Sequence, residues 1–208
     1  MKKCAIIGAG EITSYDFVKP FIEKCDFIIS ADGGYDHLLK MSLKPELSVG
    51  DFDSAKNLPT AHEIITLPKE KDDTDTLYAL KIAIDRGYRE LYLFGMLGGR
   101  LDHTIANVQS LLFLAQNNVS AYIIDSKAVL TVIKDSEISF SPTKNYYFSV
   151  FSLKEKSYGV TIKNAKYEIS NCQLENNFPL GISNEFLEHK PALIKVKSGE
   201  LLIVLCKK

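Results

Sequence analysis

Two aspartates separated by one residue stand directly after a short apolar run, in the stretch Val-Gly-Asp-Phe-Asp-Ser. A solvated turn is one explanation of the pair Asp51 and Asp53, and a metal site is the other. Carboxylates this close repel each other, and each raises the pKa of the other unless a cation lies between them. If the backbone stays extended at Phe52, that side chain points away and both carboxylates face the same ion.

A second acidic cluster, Asp72-Asp73-Thr74-Asp75, begins a stretch with helical periodicity. Aspartate at a helix N-terminus caps free N–H groups and suits the helix dipole, which accounts for one or two of these acids. Capping does not account for the third acid of this cluster, nor for Asp51 and Asp53, which we expect on a neighbouring loop. Oxygen ligands without histidine or cysteine at ligand spacing favour a hard ion. The sequence therefore predicts Mg²⁺, which nucleotide sites bind through one or two carboxylates and phosphate oxygens.

Another glycine-rich stretch supplies groups that complement a phosphate. Gly98 and Gly99 let backbone N–H groups approach phosphate oxygens, and the guanidinium of Arg100 can bind such oxygens bidentately. The sequence has no G-x-x-x-x-G-K-[ST] motif, which excludes a P-loop site. His103 is a candidate for proton transfer, although a lone histidine at a helix start more often forms only a local hydrogen bond.

Two more glycine-containing segments follow apolar runs near the N-terminus. Gly8-Ala9-Gly10 is predicted to form a tight turn, because G-x-G without a third glycine is weak support for a dinucleotide site. Asp32-Gly33-Gly34 is either a turn or the start of a helix. Ligands of open α/β sheets bind beyond the carboxyl ends of the strands. Consecutive strand ends with Gly or Asp clusters therefore predict a single site at one edge of a sheet.

The apolar pattern that positions these segments changes near residue 125. Before that point, short continuous apolar runs alternate with helix-like stretches, the clearest being Thr74–Arg86 and His103–Gln116. Continuous runs predict strands buried on both faces, and strand–helix–strand alternation predicts a mostly parallel sheet of an α/β domain. The predicted strands are Cys4–Gly8, Phe27–Ser30, Leu47–Val49, Glu63–Leu67, Leu91–Gly95 and Val119–Ile124.

After residue 125, helical periodicity gives way to short runs rich in β-branched and aromatic residues, separated by turn residues. These runs predict an all-β, antiparallel, sandwich-like domain. They are Ala128–Ile133, Tyr146–Leu153, Gly159–Lys163, Ala192–Val196 and Leu201–Cys206. We therefore predict an α/β domain over residues 1–125 and a β domain over residues 126–208.

The sequence has a formal net charge of −1 over 208 residues, of which 25% are charged and 46% hydrophobic. This composition excludes the general electrostatic attraction that is typical of nucleic-acid and anionic-membrane binding. The four cysteines form no C-x-x-C pair, and no apolar run reaches the roughly 18 residues of a transmembrane helix. We therefore predict a cytoplasmic protein with reduced thiols that binds neither nucleic acid nor a membrane.

Four of these motifs, in this order, resemble those of the thiamine pyrophosphokinase family. They are Ala31-Asp32-Gly33-Gly34, Gly50-Asp51-Phe52-Asp53-Ser54, Lys71-Asp72-Asp73-Thr74-Asp75 and Gly98-Gly99-Arg100-Leu101-Asp102-His103. The resemblance extends over essentially the whole chain, with an α/β part before a β part. It implies a thiamine diphosphokinase that transfers diphosphate from ATP to the hydroxyl of thiamine and releases AMP.

The resemblance also implies roles for the matching residues. Asp51, Asp53 and Asp75 match the acids associated with Mg²⁺, whereas Asp73 falls on a variable position of its motif. Either Asp75 or Asp102 is a candidate to accept the proton of the hydroxyl. The implied catalytic residues are Asp51, Asp53, Asp72, Asp75, Arg100 and Asp102. The residues implied to bind the nucleotide are Asp32, Gly33, Gly34, Thr74, Gly98, Gly99, Arg100 and His103.

A segment of the β domain, Gly181-Ile182-Ser183-Asn184-Glu185-Phe186, is similar to the substrate segment of the family. By this resemblance, Ser183 and Asn184 hold the aminopyrimidine of thiamine, and Phe186 stacks on the thiazolium, a cation that an aromatic face attracts. The alternative is that Phe186 is an ordinary core residue. The family further implies that residues 1–125 bind ATP and Mg²⁺, that residues 126–208 bind thiamine, and that the site lies between subunits of a homodimer.

Two other functions fit the same motifs. A related diphosphokinase acting on a hydroxymethyl pterin would share the ATP and Mg²⁺ loops, and the segment Ser183–Phe186 argues against it only by resemblance. A sensor that binds a nucleotide or thiamine without turnover would have no need of the metal-binding acids, yet this chain retains Asp51, Asp53, Asp72 and Asp75. Thiamine diphosphokinase activity is therefore the predicted function.

Overall fold

The computed structural model of the protein describes residues 2–52, 57–68, 70 and 72–208. These residues form fourteen β-strands and four α-helices. The chain divides into two compact units, residues 1–110 with 118–126 (unit 1) and residues 111–117 with 127–208 (unit 2). Within the described ranges, no helix is long and apolar enough to cross a membrane.

Unit 1 contains six parallel strands that form hydrogen bonds in the order β6-β5-β1-β2-β3-β4. They are β1 (Lys3–Ile7), β2 (Phe27–Ala31), β3 (Leu47–Gly50), β4 (Glu63–Thr66), β5 (Glu90–Phe94) and β6 (Ser120–Ile124). The central strands are buried, with Ile6, Leu93 and Phe94 at most 1% exposed. Burial of each such side chain stabilises the fold by about 1.5–3 kcal/mol. The continuous apolar runs therefore correspond to parallel strands, as the sequence predicted, but the edge strand β4 is largely exposed and not buried on both faces.

Four helices alternate with these strands. They are α1 (Tyr15–Ile22), α2 (Gly34–Lys40), α3 (Asp75–Asp85) and α4 (Leu101–Gln116). The start of α3 is fixed by Thr74, whose hydroxyl accepts a hydrogen bond from the N–H of Leu77 at 3.1 Å. After α3, Gly87 adopts a positive φ of 85°, which glycine tolerates best. Helices α3 and α4 lie where the periodicity predicted them, whereas α1 was not predicted.

Unit 2 contains two antiparallel sheets, with strand orders β12-β9-β14-β7 and β11-β10-β13-β8. The strands of the first are β7 (Ala128–Lys134), β9 (Tyr146–Ser152), β12 (Gly181–Glu185) and β14 (Glu200–Lys207). Those of the second are β8 (Glu137–Phe140), β10 (Lys156–Lys163), β11 (Ile169–Glu175) and β13 (Ala192–Lys195). Side chains from both sheets, including Phe148, Ile162, Ile194 and Ile203, form one buried core. Strands β8, β11 and β12 were not predicted.

Candidate active site

The strand order of unit 1 creates a crevice between the loops that follow β1 and β5. The chain adds β2, β3 and β4 on one side of β1 and then returns to place β5 and β6 on the other. Loops that leave neighbouring strands in opposite directions open a binding crevice at the carboxyl ends of the strands. A cavity of about 370 Å³ lies here, within the range of about 300–1,000 Å³ that is typical of small-molecule sites.

Several residues predicted from sequence line this cavity together. They are Asp32, Thr74, Asp75, Gly98, Gly99, Arg100 and His103. Gly33 lines a neighbouring cavity of about 460 Å³ with Asp36 and Lys40. Of the predicted residues that the structure describes in unit 1, Gly34, Asp51, Asp72 and Asp102 are outside the lining of the first cavity. Asp53 and Ser54 lie outside the described residues.

Glycines bring the loops after β1 and β5 into direct contact. The N–H of Gly8 donates to the carbonyl of Phe94 at 2.8 Å, and the N–H of Gly10 donates to the carbonyl of Gly95 at 2.9 Å. A Cβ atom on Gly10 would lie 2.5 Å from that same Gly95 oxygen. The chain bends at Ala9 and Gly10, hydrogen bonds hold this segment against the β5 loop, and backbone atoms form this part of the cavity wall.

The acidic cluster before α3 separates into residues with different partners. Asp75 is the first residue of α3 and lines the cavity. Asp73 forms an ion pair with Lys81, at 2.5 Å, and Asp72 is exposed. Thr74 and Asp75 both line the cavity, so the first turn of α3, with its free N–H groups, borders it. Asp75 is therefore the member of this cluster that is best placed to act on a ligand.

Asp51, the first acid after β3, precedes a residue whose backbone is not extended. Asp51 is half-buried and follows β3 directly. Phe52 has a φ of 55°, in the left-handed region that L residues with a Cβ atom rarely adopt. The backbone is not extended there, so the condition under which the Phe52 side chain would point away from a shared ion is not met.

The segment after β2 is a helix start, which is one of the two alternatives that its sequence allowed. The N–H of Asp32 donates to the carbonyl of Val49 at 2.7 Å, and Asp32 has a φ of 48°. Helix α2 begins at Gly34, where an added Cβ atom would lie only 1.9 Å from the carbonyl oxygen of Ile7 in β1. A residue with a Cβ atom would clash with the central strand here, so the close packing of α2 on β1 requires a glycine at this position.

Arg100 and Asp102 form a two-point ion pair at the start of α4. The guanidinium donates to the carboxylate from Nε at 3.1 Å and from Nη2 at 2.6 Å. The N–H of His103 also donates to this carboxylate, at 2.9 Å. The hydrogen bond from Arg100, together with that from His103, lowers the pKa of Asp102 below its usual range. Asp102 is therefore a weaker base here than an isolated aspartate.

Sequence reasoning missed several residues of the cavity. Glu11 and Met96 line it, and Asn107 of α4 donates from its amide to the carbonyl of Met96 at 2.8 Å. This bond holds the β5 loop against the second turn of α4. A lone asparagine within a helical pattern gives no signal of such a contact, because the partner is a backbone carbonyl eleven residues earlier in the chain.

The predicted substrate segment of unit 2 includes β12. Asn184 is 4% exposed, and its amide is bonded to the backbone: Oδ1 accepts from the N–H of Tyr167 at 3.0 Å, and Nδ2 donates to the carbonyl of Tyr167 at 2.6 Å. Ser183 is exposed, with a φ of 57° at an irregularity of the strand pairing. Asn184 therefore holds this segment against the chain around Tyr167.

Phe186 lies beside a second cavity, of about 490 Å³, in unit 2. Its ring packs against Phe148, with ring centroids 4.9 Å apart, so one side of the ring contacts the core. Hydrogen bonds from Lys166 and Lys208 lower the pKa of Glu185 to about 2, and its carboxylate stays ionised beside this cavity. Phe186 is thus both a core-edge residue and a lining residue of a cavity.

Comparison with known proteins identifies the family. A family model described as "Thiamin pyrophosphokinase, catalytic domain" matches residues 18–123, and one described as "Thiamin pyrophosphokinase, vitamin B1 binding domain" matches residues 135–201. The chain belongs to the thiamine pyrophosphokinase family. Its members are ATP-dependent diphosphotransferases that act on thiamine, so the predicted family, enzyme class and activity are confirmed.

The following thiamine pyrophosphokinases match this chain along nearly their full length. The thiamine pyrophosphokinase of Bacillus subtilis (strain 168) is 27% identical over 98% of both chains. A crystal structure of thiamine pyrophosphokinase from Bacillus subtilis superposes with a TM-score of 0.90 at 25% identity, covering 100% of both chains. A crystal structure of thiamin pyrophosphokinase from Geobacillus thermodenitrificans has a TM-score of 0.86 at 27% identity, covering 99% of this chain and 98% of the other. The pterin kinase and the sensor are therefore not favoured.

Family membership supplies ATP as the co-substrate, whereas the Mg²⁺ site remains a prediction. In the part of the chain that the structure describes, no group of three or more His, Cys, Asp or Glu side chains is arranged to hold a metal ion. Asp53, one of the three predicted ligands, is not among the described residues.

Proposed function

We propose that the cavity between the β1 and β5 loops binds the phosphates of ATP and is the place where diphosphate transfer to thiamine begins. The observation that supports this most strongly is the convergence of Asp32, Asp75 and Arg100 on one cavity, together with two glycines and the start of a helix. In the reaction, the thiamine hydroxyl oxygen bonds to the β-phosphorus. The bond from that phosphorus to the oxygen bridging the α- and β-phosphorus atoms breaks, and AMP leaves.

We propose Asp51, Asp53 and Asp75 as ligands of Mg²⁺. The donor set fits this ion, because it consists of carboxylate oxygens that follow β3 or begin α3, without a sulfur or imidazole ligand. When bound, the metal supplies positive charge against the phosphate oxygens. The residues themselves orient the triphosphate, because the first turn of α3 presents N–H groups to it.

Positioning and charge neutralisation by Arg100 and by the N–H groups of Gly98 and Gly99 account for the remaining chemistry in this proposal. Phosphoryl-type transfers need little covalent help from the protein. The carboxylate of Asp102 already accepts hydrogen bonds from Nε and Nη2 of Arg100, which supports a role of Asp102 in orienting Arg100.

We propose that Phe186 and Ser183 contact thiamine, while Asn184 shapes the segment that carries them. The exposed face of Phe186 lines a cavity, and an aromatic face attracts the thiazolium cation. The amide of Asn184 is already bonded to Tyr167 and to the N–H of Glu185. We also propose the domain roles inferred from sequence, with an α/β catalytic domain over residues 1–125 and a sandwich-like thiamine-binding domain over residues 126–208.

The activity itself is tested by incubating the protein with ATP, Mg²⁺ and either thiamine or the hydroxymethyl pterin. We expect AMP with thiamine only, quantified by chromatography against thiamine diphosphate in equal amounts. ADP in place of AMP would indicate that the γ-phosphate moves and would contradict the proposal. AMP formed only with the pterin would establish the other diphosphokinase, and binding without either product would establish a sensor.

We further propose a homodimer in which Phe186 of one subunit serves the acids of the other. Coexpression of Asp75→Asn and Phe186→Ala chains with different affinity tags allows mixed dimers to be purified. Because one of the two shared sites then contains neither substitution, the mixed dimer should regain about half of the unmodified activity, while each parent variant stays nearly inactive. A mixed dimer as inactive as its parents would exclude a shared site. A monomer by light scattering would exclude the dimer.

A further inference from the structure

A hydrogen-bonded chain runs from α1 through α2 to the cavity wall, outside the residues assigned above. His37 of α2 is half-buried. Its Nδ1 lies 2.8 Å from the hydroxyl of Tyr15 in α1, and its Nε2 lies 2.8 Å from the carbonyl oxygen of Gly10. Gly10 lines the cavity. The imidazole therefore joins two helices to the loop that follows β1.

The partners of His37 fix its tautomer. A carbonyl oxygen can only accept a hydrogen bond, so Nε2 must hold the proton and donate it to Gly10. In the neutral ring Nδ1 is then the acceptor, and the hydroxyl of Tyr15 donates to it. The bond to Gly10 places a proton on Nε2 in either protonation state, and a hydrogen bond from Tyr15 to Nδ1 favours the neutral ring.

The peptide of Gly10 is held on both sides. Its N–H donates to the carbonyl of Gly95 at 2.9 Å, and its carbonyl accepts from His37. Further along the same loop, the hydroxyl of Thr13 donates to the carboxylate of Asp125 at 3.1 Å, and it lies 2.6 Å from the hydroxyl of Ser126. Among these contacts, the hydrogen bond from His37 is the only one that joins the carbonyl of Gly10 to a helix. Without this hydrogen bond, the peptide group between Gly10 and Glu11 can rotate, and its rotation changes the shape of the cavity wall.

We propose that His37 is a positioning residue that holds the loop after β1 in the shape required for ATP binding. This inference rests on the proposed function, in which ATP occupies the cavity lined by Gly10. His37 itself does not line that cavity but the neighbouring one, so it acts through Gly10. It differs in this from His62, which is exposed.

The surroundings of His37 favour its neutral form. Burial lowers the pKa of His37, and the charge of Lys40 lowers it further, whereas the hydrogen bond to Gly10 and the charge of Asp36 raise it. From α1 the facing titratable group is Tyr15, whose ring lies 5.5 Å from the Lys40 ammonium. Protonation would turn Nδ1 into a donor and force the Tyr15 hydroxyl to rotate, while the bond to Gly10 remains. Removing that hydroxyl removes a hydrogen bond to the neutral form, so the pKa of His37 rises in Tyr15→Phe.

The test measures the KM for ATP and for thiamine in His37→Leu, His37→Gln and Tyr15→Phe, with His62→Gln as the matched control. We expect His37→Leu to raise the KM for ATP about tenfold, the size of one lost hydrogen bond to a half-buried carbonyl, with the KM for thiamine changed by less than about twofold. His37→Gln should restore most of the loss, because its terminal amide can still donate to Gly10. In Tyr15→Phe the pKa of His37, followed by nitrogen NMR of the ring, should rise.

An unchanged KM for ATP in His37→Leu would overturn the inference. So would an equal rise in the KM for ATP and for thiamine that His37→Gln does not reverse. If His37→Leu does not fold, nitrogen NMR of the unmodified protein decides, since a ring with unprotonated Nε2 at pH 7 contradicts the proposed bond. Absence of AMP from the unmodified protein would refute the proposed function. Normal AMP formation with an unaffected His37→Leu would refute only the role of His37.

Discussion

The Asp75→Asn variant should form AMP at least about 100-fold more slowly than the unmodified protein, as expected for loss of a charge that stabilises the transition state. Asparagine has nearly the shape of aspartate and keeps one oxygen ligand, but it lacks the negative charge. The first turn of α3 also loses a favourable interaction with the helix dipole, of about 0.3–1 kcal/mol. The thermal unfolding temperature should therefore change by only a few degrees, at about 2–4 °C per kcal/mol for this chain length.

Asp73→Asn is the matched control for this experiment, since the same substitution is made two residues earlier in the chain. Asp73 is paired with Lys81 on a partly exposed surface, and such pairs contribute at most about 1 kcal/mol. We expect its AMP formation to stay within about threefold of the unmodified rate. Steady-state rates at saturating ATP and several Mg²⁺ concentrations decide the question. Near-normal turnover of Asp75→Asn would remove Asp75 from the catalytic residues.

Among substitutions in unit 1 that add one methyl group, Gly34→Ala should lower the stability most. The added Cβ atom would overlap the carbonyl oxygen of Ile7 at 1.9 Å, and that oxygen belongs to the central strand, which cannot move alone. Overpacking of this kind costs about 1–3 kcal/mol or more, which corresponds to a fall of roughly 2–12 °C in the unfolding temperature. Because β1 leads directly into Gly8 and Gly10, affinity for ATP should fall as well.

Gly87→Ala separates steric overlap from backbone strain. Gly87 has a φ of 85° but no atom within 4 Å of an added Cβ atom among the described residues. Its substitution should cost only the left-handed conformation, about 1–2 kcal/mol, and should leave the KM for ATP unchanged. Urea unfolding followed by circular dichroism compares the two variants. A Gly34→Ala protein as stable as Gly87→Ala would show that α2 can move away from β1 without cost.

The elements that the sequence predicted well are those whose pattern is set by burial. Helix α3 begins and ends within one residue of the predicted Thr74–Arg86, because apolar periodicity and Gly87 define it locally. Strands β11 and β12 escaped prediction because they are exposed over much of their length and lack an apolar run. Helix α1 contains Pro20, an unusual residue for a helix interior.

The site could be predicted as a set of loops but not as a geometry. Parallel strands bring their carboxyl ends to one edge, so residues as distant as Asp32 and Arg100 could be expected together. The left-handed backbone of Phe52 carries no sequence signal, because phenylalanine rarely adopts it. The roles of His37 and Asn107 also escaped, since each bonds to a backbone carbonyl, an atom that every residue has.

The glycine contact between the β1 and β5 loops has a consequence for inhibitor design. Compounds that press against Gly10 and Gly95 would contact main-chain atoms, which a codon change cannot alter directly. A Cβ atom at either position would approach a carbonyl oxygen to 2.5 Å, so the mutations that could reshape this wall also push the central strands apart. Resistance to such compounds should therefore arise at neighbouring side chains such as Met96, whereas the glycines themselves stay unchanged under drug selection.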